Sequence, residues 1–264
     1  MADQNVHPYL YVRENARMEE IMDNRLQGKT VIITGAAGGI GEVLSEKLAE
    51  CGMNIVLTGR RKEALEAVAE KVEQMGGRAC VCAGDLSDMN FLEELLERTQ
   101  AAFGGVDVLI NNAGLSHRCP VEEMTPELFE SIMKVNVQAP YFLCQKAVPY
   151  LRKSNFATII NIGSVVSHKG YPLQSVYAAS KHALLGFSKS LANEVFKENI
   201  RVHVISPGSV FTDMIASVRP DLSPEGMILP EDMAEIVIFY LEHRHTNAVI
   251  DEIEVHRVTK EPFA

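Results

Sequence analysis

The sequence predicts one α/β domain, doubly wound, with a mostly parallel sheet of seven strands and helices on both faces. Three observations carry that reading. Short β-branched apolar runs alternate with segments whose apolar residues recur at helical spacing, glycine or proline marks many of the junctions, and neither a linker nor a repeat divides the chain. Strands that read as continuous apolar runs are buried on both faces, and crossover helices between parallel strands provide that cover.

Residues 1–27 precede the first such run and read as an N-terminal arm apart from the domain at 28–264. Tyr9, Leu10, Tyr11, Val12, Met18, Ile21 and Met22 are apolar enough to dock on the domain or on a neighbouring subunit. A loosely ordered tail is the alternative. The first strand is Thr30-Val31-Ile32-Ile33-Thr34, ended by Gly35. A helix follows over 39–51 with Val43, Leu44, Leu48 and Ala49 as its apolar stripe, then a strand over 54–58. Ala64, Leu65, Val68, Val72 and Met75 mark the next helix, stopped by Gly76-Gly77. A strand is expected over 78–83, a helix from Phe91 to the Gly104-Gly105 stop, and a fourth strand over 106–110.

Thr125-Pro126 opens a long helix with a hydroxyl N-cap and proline in the first turn. Pro140 and Pro149 predict a kink or break within it. Strands over 157–162, 201–205 and 249–255 and helices around Tyr177 and over 231–242 complete the alternation.

Composition bounds the function. The chain has 264 residues, 47% hydrophobic and 23% charged, which suits an ordinary globular domain with a sizeable core. A net charge of -10 without a basic patch argues against nucleic acid as a partner. No apolar run approaches the ~20 residues that span a bilayer, and the polar first 15 residues lack the core of a secretion signal. A cytoplasmic protein is the expectation. Five scattered cysteines do not make a disulfide framework, and neither Cys80 with Cys82 nor His243 with His245 completes a metal-ligand set, so no metal is expected.

Two stretches carry the chemistry. Thr34-Gly35-Ala36-Ala37-Gly38-Gly39-Ile40-Gly41 follows a strand and opens a helix. Glycines there permit a tight turn and let backbone amides approach a pyrophosphate at the helix N-terminus. The second strand ends in Thr58-Gly59-Arg60-Arg61, with no carboxylate to hold ribose hydroxyls. Small glycine beside arginine leaves room and charge for a 2′-phosphate, which favours NADP(H) over NAD(H), with Arg60 as the principal contact and Arg61 beside it. The other stretch is Tyr177-Ala178-Ala179-Ser180-Lys181. At i, i+4 the phenol and the ammonium share one helix face, and the cation is expected to lower the phenol pKa toward the working range of an acid–base group.

These motifs, with Gly84-Asp85-Leu86, Asn111-Asn112-Ala113-Gly114, Asn136, Ser164 and Ser206-Pro207-Gly208 in order between and after them, resemble the short-chain dehydrogenase/reductase family over residues 26–258. The resemblance implies a Rossmann fold and hydride transfer between a nicotinamide cofactor and a carbonyl or alcohol. Asn136, Ser164, Tyr177 and Lys181 match the family's catalytic tetrad without substitution. It also implies cofactor contacts from Gly35, Ala37, Gly38, Gly39, Ile40 and Gly41, adenine contacts from Asp85 and Leu86, and ribose contacts from Asn112, Ala113 and Gly114. Pro207, Gly208, Val210 and Thr212 match the segment that holds the nicotinamide carboxamide, while Tyr177 and Lys181 also face the nicotinamide ribose. In this scheme Ser164 holds the substrate oxygen, Tyr177 moves its proton, and Asn136 holds a relay water. Dimers or tetramers are implied as well.

The substrate that the resemblance implies is a small-molecule ketone, keto acid or secondary alcohol. Ser116, His117, Arg118, Val165, His168 and Gln174 are the candidate walls of its pocket, and the loop over 213–229 is expected to fold across it. His117, Arg118 and His168 would favour an acidic substrate. An NAD-dependent alcohol, hydroxysteroid or polyol dehydrogenase is the alternative reading, and a non-catalytic nucleotide-binding protein a further one.

Overall fold

The computed structural model describes residues 25–219 and 221–261. Seven strands form one sheet: β1 (Thr30–Thr34), β2 (Asn54–Gly59), β3 (Arg78–Ala83), β4 (Val108–Asn111), β5 (Thr158–Ile162), β6 (Arg201–Pro207) and β7 (Glu252–Val255). Every pairing is parallel, in the order β3-β2-β1-β4-β5-β6-β7. Eight α-helices accompany them among the described residues: α1 (Ile40–Glu50), α2 (Lys62–Gln74), α3 (Met89–Phe103), α4 (Pro126–Met133), α5 (Ala139–Leu151), α6 (Ser175–Val195), α7 (Asp213–Val218) and α8 (Pro230–Glu242). None of the described helices is long and apolar enough to cross a membrane.

The pleat sorts the first strand between two cores. Val31 and Ile33 join Leu44 and Leu48 of α1, Leu65 of α2 and Val237 of α8 on one face. Ile32 points the other way, to Leu92 and Leu95 of α3, Leu143 of α5 and Leu191 of α6. All residues of β1, β2, β4 and β5 are buried, as a sheet covered on both faces requires. Burying each of these large aliphatic side chains stabilises the fold by roughly 1.5–3 kcal/mol before entropy is counted.

Several boundaries differ from expectation. β4 begins at Val108 and β7 at Glu252; Val249 and Ile250, apolar and β-branched, are exposed. β6 runs on through Pro207, whose nitrogen faces the β5 side beyond the last pair at Ile205, while Val204 and Gly208 supply the amides on the β7 side. Within the arm expected over 1–27, Leu26 is buried in the first core and Arg25 donates to the Glu242 carbonyl at 2.8 Å. The apolar positions from Tyr9 to Met22 lie outside the described residues.

The long helix is capped as read: Thr125 Oγ1 accepts from the Leu128 amide. Its irregularity is a π turn, Lys134–Gln138, that joins α4 to α5 while the backbone stays helical. Pro140 has no N–H to give the Asn136 carbonyl four residues earlier, so the ladder widens just before it. Pro149 is accommodated inside the last turn of α5 without ending it.

Candidate active site

Strand order reverses between β1 and β4, and the crevice outside the carboxyl ends of the strands opens there. The turn after β1 forms its floor. Gly35 and Gly39 adopt φ of 66° and 55°, where an L side chain is strained. A Cβ at Gly35 would meet the Ala113 Cα at 2.9 Å, and one at Gly41 would lie 2.2 Å from the Gly35 carbonyl oxygen. Gly39 is the N-cap of α1 and supplies no side-chain cap, so the first amides of that helix face the crevice without a side-chain partner.

Thr34 and Asn112 lock the turn to β4. Thr34 Oγ1 accepts from the amides of Asn112 and Ala113 at 2.9 and 3.0 Å, and Asn112 Nδ2 donates to the Thr34 carbonyl at 3.0 Å. The resulting cavity of about 280 Å³ is bordered by Gly35, Gly38, Gly39 and Ile40 at one end and by Pro207, Gly208, Val210 and Thr212 at the other. Asn112, Ala113, Gly114, Tyr177 and Lys181 form its wall. Ala37 and Gly41 lie behind the lining, and Asp85 and Leu86 lie outside it. Asp85 accepts from the Ser87 amide at 2.9 Å, and that bond holds its carboxyl below the usual range.

The two arginines, both exposed, differ in placement. Arg61 borders the cavity, donates to the Ala37 carbonyl at 2.7 Å and lies against Gly38; Arg60 is exposed and does not line it. Successive side chains leaving the strand end point in different directions, and the second one folds back over the glycine turn.

Ser164, Tyr177 and Lys181 are brought together from β5 and α6. Ser164 follows β5 and caps a 3₁₀ turn, Val165–Ser167, its hydroxyl accepting from the Val166 amide at 3.3 Å; Ser164 and Tyr177 both border the cavity, and the serine hydroxyl lies near enough to influence the Tyr177 phenol. Lys181, buried, donates to the Ile162 carbonyl at 2.7 Å, with its nitrogen 6.0 Å from the centre of the Tyr177 ring. Burial brings the Lys181 ammonium down to about 8. The expected depression of the Tyr177 phenol is not found. Burial pushes its pKa up, the Ser164 hydroxyl opposes that in part, and Lys181 is directed at a backbone carbonyl rather than the phenol.

Asn136 has a different environment from the one expected of a water holder. Its Nδ2 donates to the Leu115 carbonyl at 2.8 Å and to Ser180 Oγ at 3.0 Å, and its Oδ1 accepts from the Leu115 amide at 2.7 Å. The side chain therefore ties the segment after β4 to α6.

A second cavity of about 360 Å³ meets the first and shares Ser164, Tyr177, Gly208, Met214 and Ile215 with it. The loop over 213–229 does border the site, but it contains α7, which was not anticipated. Among the expected walls, Ser116, Val165 and Gln174 line this cavity. His117, Arg118 and His168 do not: Arg118 is 3.5 Å from Asp221, and His168 is bonded to Glu252 at 2.6 Å. Sequence reading missed Ser180, three residues after Tyr177 on the same helix, and the lining from His256, Arg257 and Lys260. Helical spacing could have signalled the first. Nothing local signals the second.

The family model described as short chain dehydrogenase matches residues 29–223. With the parallel sheet, the glycine turn and the Ser164–Tyr177–Lys181 cluster, this places the chain in the short-chain dehydrogenase/reductase family, and it is an oxidoreductase of that family. It is 34% identical to the 3-oxoacyl-(acyl-carrier-protein) reductase of Chlamydia trachomatis serovar D over 83% of this chain and 92% of that one. Among solved structures, a metagenomic short-chain oxidoreductase in complex with NADP shares 32% identity, with a TM-score of 0.77, covering 89% of this chain and all of that one. The 3-ketoacyl-(acyl-carrier-protein) reductase from Brucella melitensis complexed with NADH shares 28%, with a TM-score of 0.81, over 88% and 98%.

Proposed function

We propose that the protein is an NADP(H)-dependent carbonyl reductase that interconverts a ketone and a secondary alcohol. The observation that carries this reading is the position of the Ser164 and Tyr177 side chains together at the junction of two cavities. One cavity suits a dinucleotide: Gly35 and Gly41 of its turn leave no room for a Cβ, and a helix N-terminus without a side-chain cap faces it. Arg61 beside that turn supports the phosphorylated cofactor.

A reduced nicotinamide bound in the first cavity supplies the hydride that the carbonyl carbon gains. Ser164 Oγ donates a hydrogen bond to the carbonyl oxygen and stabilises the charge that develops there. Tyr177 gives its phenolic proton to the same oxygen, completing the alcohol; in the reverse direction it takes that proton back. Its raised pKa keeps the phenol protonated at neutral pH, which suits the reductive direction. Lys181, with its ammonium brought to about 8, can give or accept a proton near working pH. Asn136 positions the α6 turn that carries both.

Spectrophotometric consumption of NADPH and NADH against ketones, keto acids and ketoses tests the reading. NADPH should be consumed in preference to NADH, and Tyr177→Phe should bind NADPH normally while losing turnover by roughly 10²–10⁴-fold. A Tyr177→Phe enzyme with near-normal rate would falsify the mechanism, and equal use of the two cofactors would overturn the NADP(H) assignment. We also infer a homo-oligomer, supported by exposed Phe129 and Tyr141 on α4 and α5; light scattering that finds only monomer overturns it.

A further inference from the structure

The second cavity has a charge asymmetry that the reduction itself does not require. Its lining contains Arg219, His256, Arg257 and Lys260, and no aspartate or glutamate. The chain as a whole carries a net charge of -10, so this local excess of cations runs against the composition. A concave site of one sign with apolar walls concentrates ligands of the opposite sign. Here the walls include Val165, Val166, Met214 and Ile215.

The cations are not equivalent. Arg219 is matched by Asp221, which accepts from its Nε at 2.9 Å and its Nη2 at 2.8 Å. Among the described residues, neither Arg257 nor Lys260 has a carboxylate partner. Lys260 Nζ donates to the Tyr171 hydroxyl at 3.5 Å. His256 Nδ1 is buried without a hydrogen-bond partner.

Backbone contacts place these residues. The Gly208 amide donates to the Val255 carbonyl at 2.8 Å and so holds the start of the C-terminal segment against the junction of the two cavities. A turn closed by the Lys260 amide on the Arg257 carbonyl at 3.0 Å sets both cations on one short loop. Thr259, between them, packs so closely on Gly226 that a Cβ there would come within 2.4 Å of its methyl carbon. The C-terminal segment thus gives the cavity that Ser164 and Tyr177 line two cations without a carboxylate partner among the described residues.

We propose that Arg257 and Lys260 form an anion subsite, and that the substrate is a ketone or secondary alcohol bearing a carboxylate or phosphate group several bonds from the reacting carbon. This rests on the carbonyl-reductase reading above and narrows its substrate class. It also moves the source of acid preference from His117, Arg118 and His168, two of which are engaged with carboxylates, to the C-terminal segment.

The full-length protein loaded with NADPH can be tested with 3-oxobutanoate, 4-oxopentanoate and 5-oxohexanoate, each beside its methyl ester, and with dihydroxyacetone phosphate beside dihydroxyacetone. Two readouts are taken: kcat/KM in the wild type, and Kd by cofactor fluorescence in a Tyr177→Phe background. In at least one pair the anion should be preferred about tenfold or more, chiefly through KM or Kd, as expected for a charge-assisted contact. The arm that shows the preference identifies carboxylate or phosphate as the anion. Arg257→Ala with Lys260→Ala should bring the ratio below about threefold, and Arg257→Lys should retain part of it.

A wild-type ratio near one, no binding of any probe, or a ratio that survives the double substitution overturns the subsite. Charge-selective Kd without turnover in the wild type keeps the subsite and defeats the carbonyl-reductase reading. Turnover indifferent to charge does the reverse.

Discussion

The two halves of the sheet solve different problems. On the β1–β4 side, recognition is built from backbone: glycines at positive φ, an uncapped helix terminus, and amides pinned by Thr34 and Asn112. On the β5–β7 side it is built from side chains delivered by separate segments, with Ser164 from the end of β5, Tyr177 and Lys181 from α6, and the cations from beyond β7. A backbone site suits a cofactor whose phosphates are always the same. A side-chain site can change its ligand without disturbing the sheet, and the family's range of substrates fits that division.

The sharpest test of the side-chain half is Ser164→Ala. The hydroxyl borders the cavity beside Tyr177, so its loss should lower kcat by roughly 10²–10³-fold with little change in melting temperature. A rate within a factor of a few would break the assignment of oxyanion stabilisation to that half.

Lys181 gives the next largest effect, through pH. Its folded-state pKa lies at about 8, below its ordinary 10.5, because burial disfavours the ammonium. Between these two values the unfolded chain binds a proton that the native state has released, so stability rises with pH across that window. Below the window the buried charge is a constant cost. Urea midpoints of wild type and Lys181→Met, compared from pH 7 to 10, should show the wild type gaining up to about 3 kcal/mol relative to the variant. A flat difference would show that the ammonium is not desolvated.

The backbone half is probed by Gly41→Ala. The added methyl would fall 2.2 Å from the Gly35 carbonyl oxygen and 2.8 Å from Asn112 Nδ2, so the turn must move. Stability should drop by roughly 1–3 kcal/mol, together with weaker cofactor binding. Unchanged NADPH affinity would mean that the turn is not the cradle.

The smallest effect distinguishes the two arginines. Arg61→Ala should raise the NADPH Kd about tenfold, the weight of one charge-assisted contact, and Arg60→Ala less. The opposite ranking would restore the order expected from sequence.

Much of this molecule could be read before any coordinates. The parallel sheet followed from apolar runs at β1, β2, β4 and β5 that are buried on both faces. Two strand starts were misplaced for a common reason: Val106, Val249 and Ile250 have strand-like chemistry but lie before the ladder begins. α7 escaped notice because its six residues are too short to show a period.

What the sequence alone determined is local. A turn that needs glycine, a helix that begins at Thr125-Pro126, and a phenol and an amine one turn apart are set by steric limits and periods acting over a few residues. Tertiary structure decided what required distant segments to meet. It placed Arg61 rather than Arg60 over the turn, directed Lys181 to the Ile162 carbonyl, committed the Asn136 side chain to Leu115 and Ser180, and set Arg257 and Lys260 on the cavity that Tyr177 also lines. The direction of a side chain and the burial of a charge depend on neighbours tens or hundreds of residues away, and no short-range pattern records them.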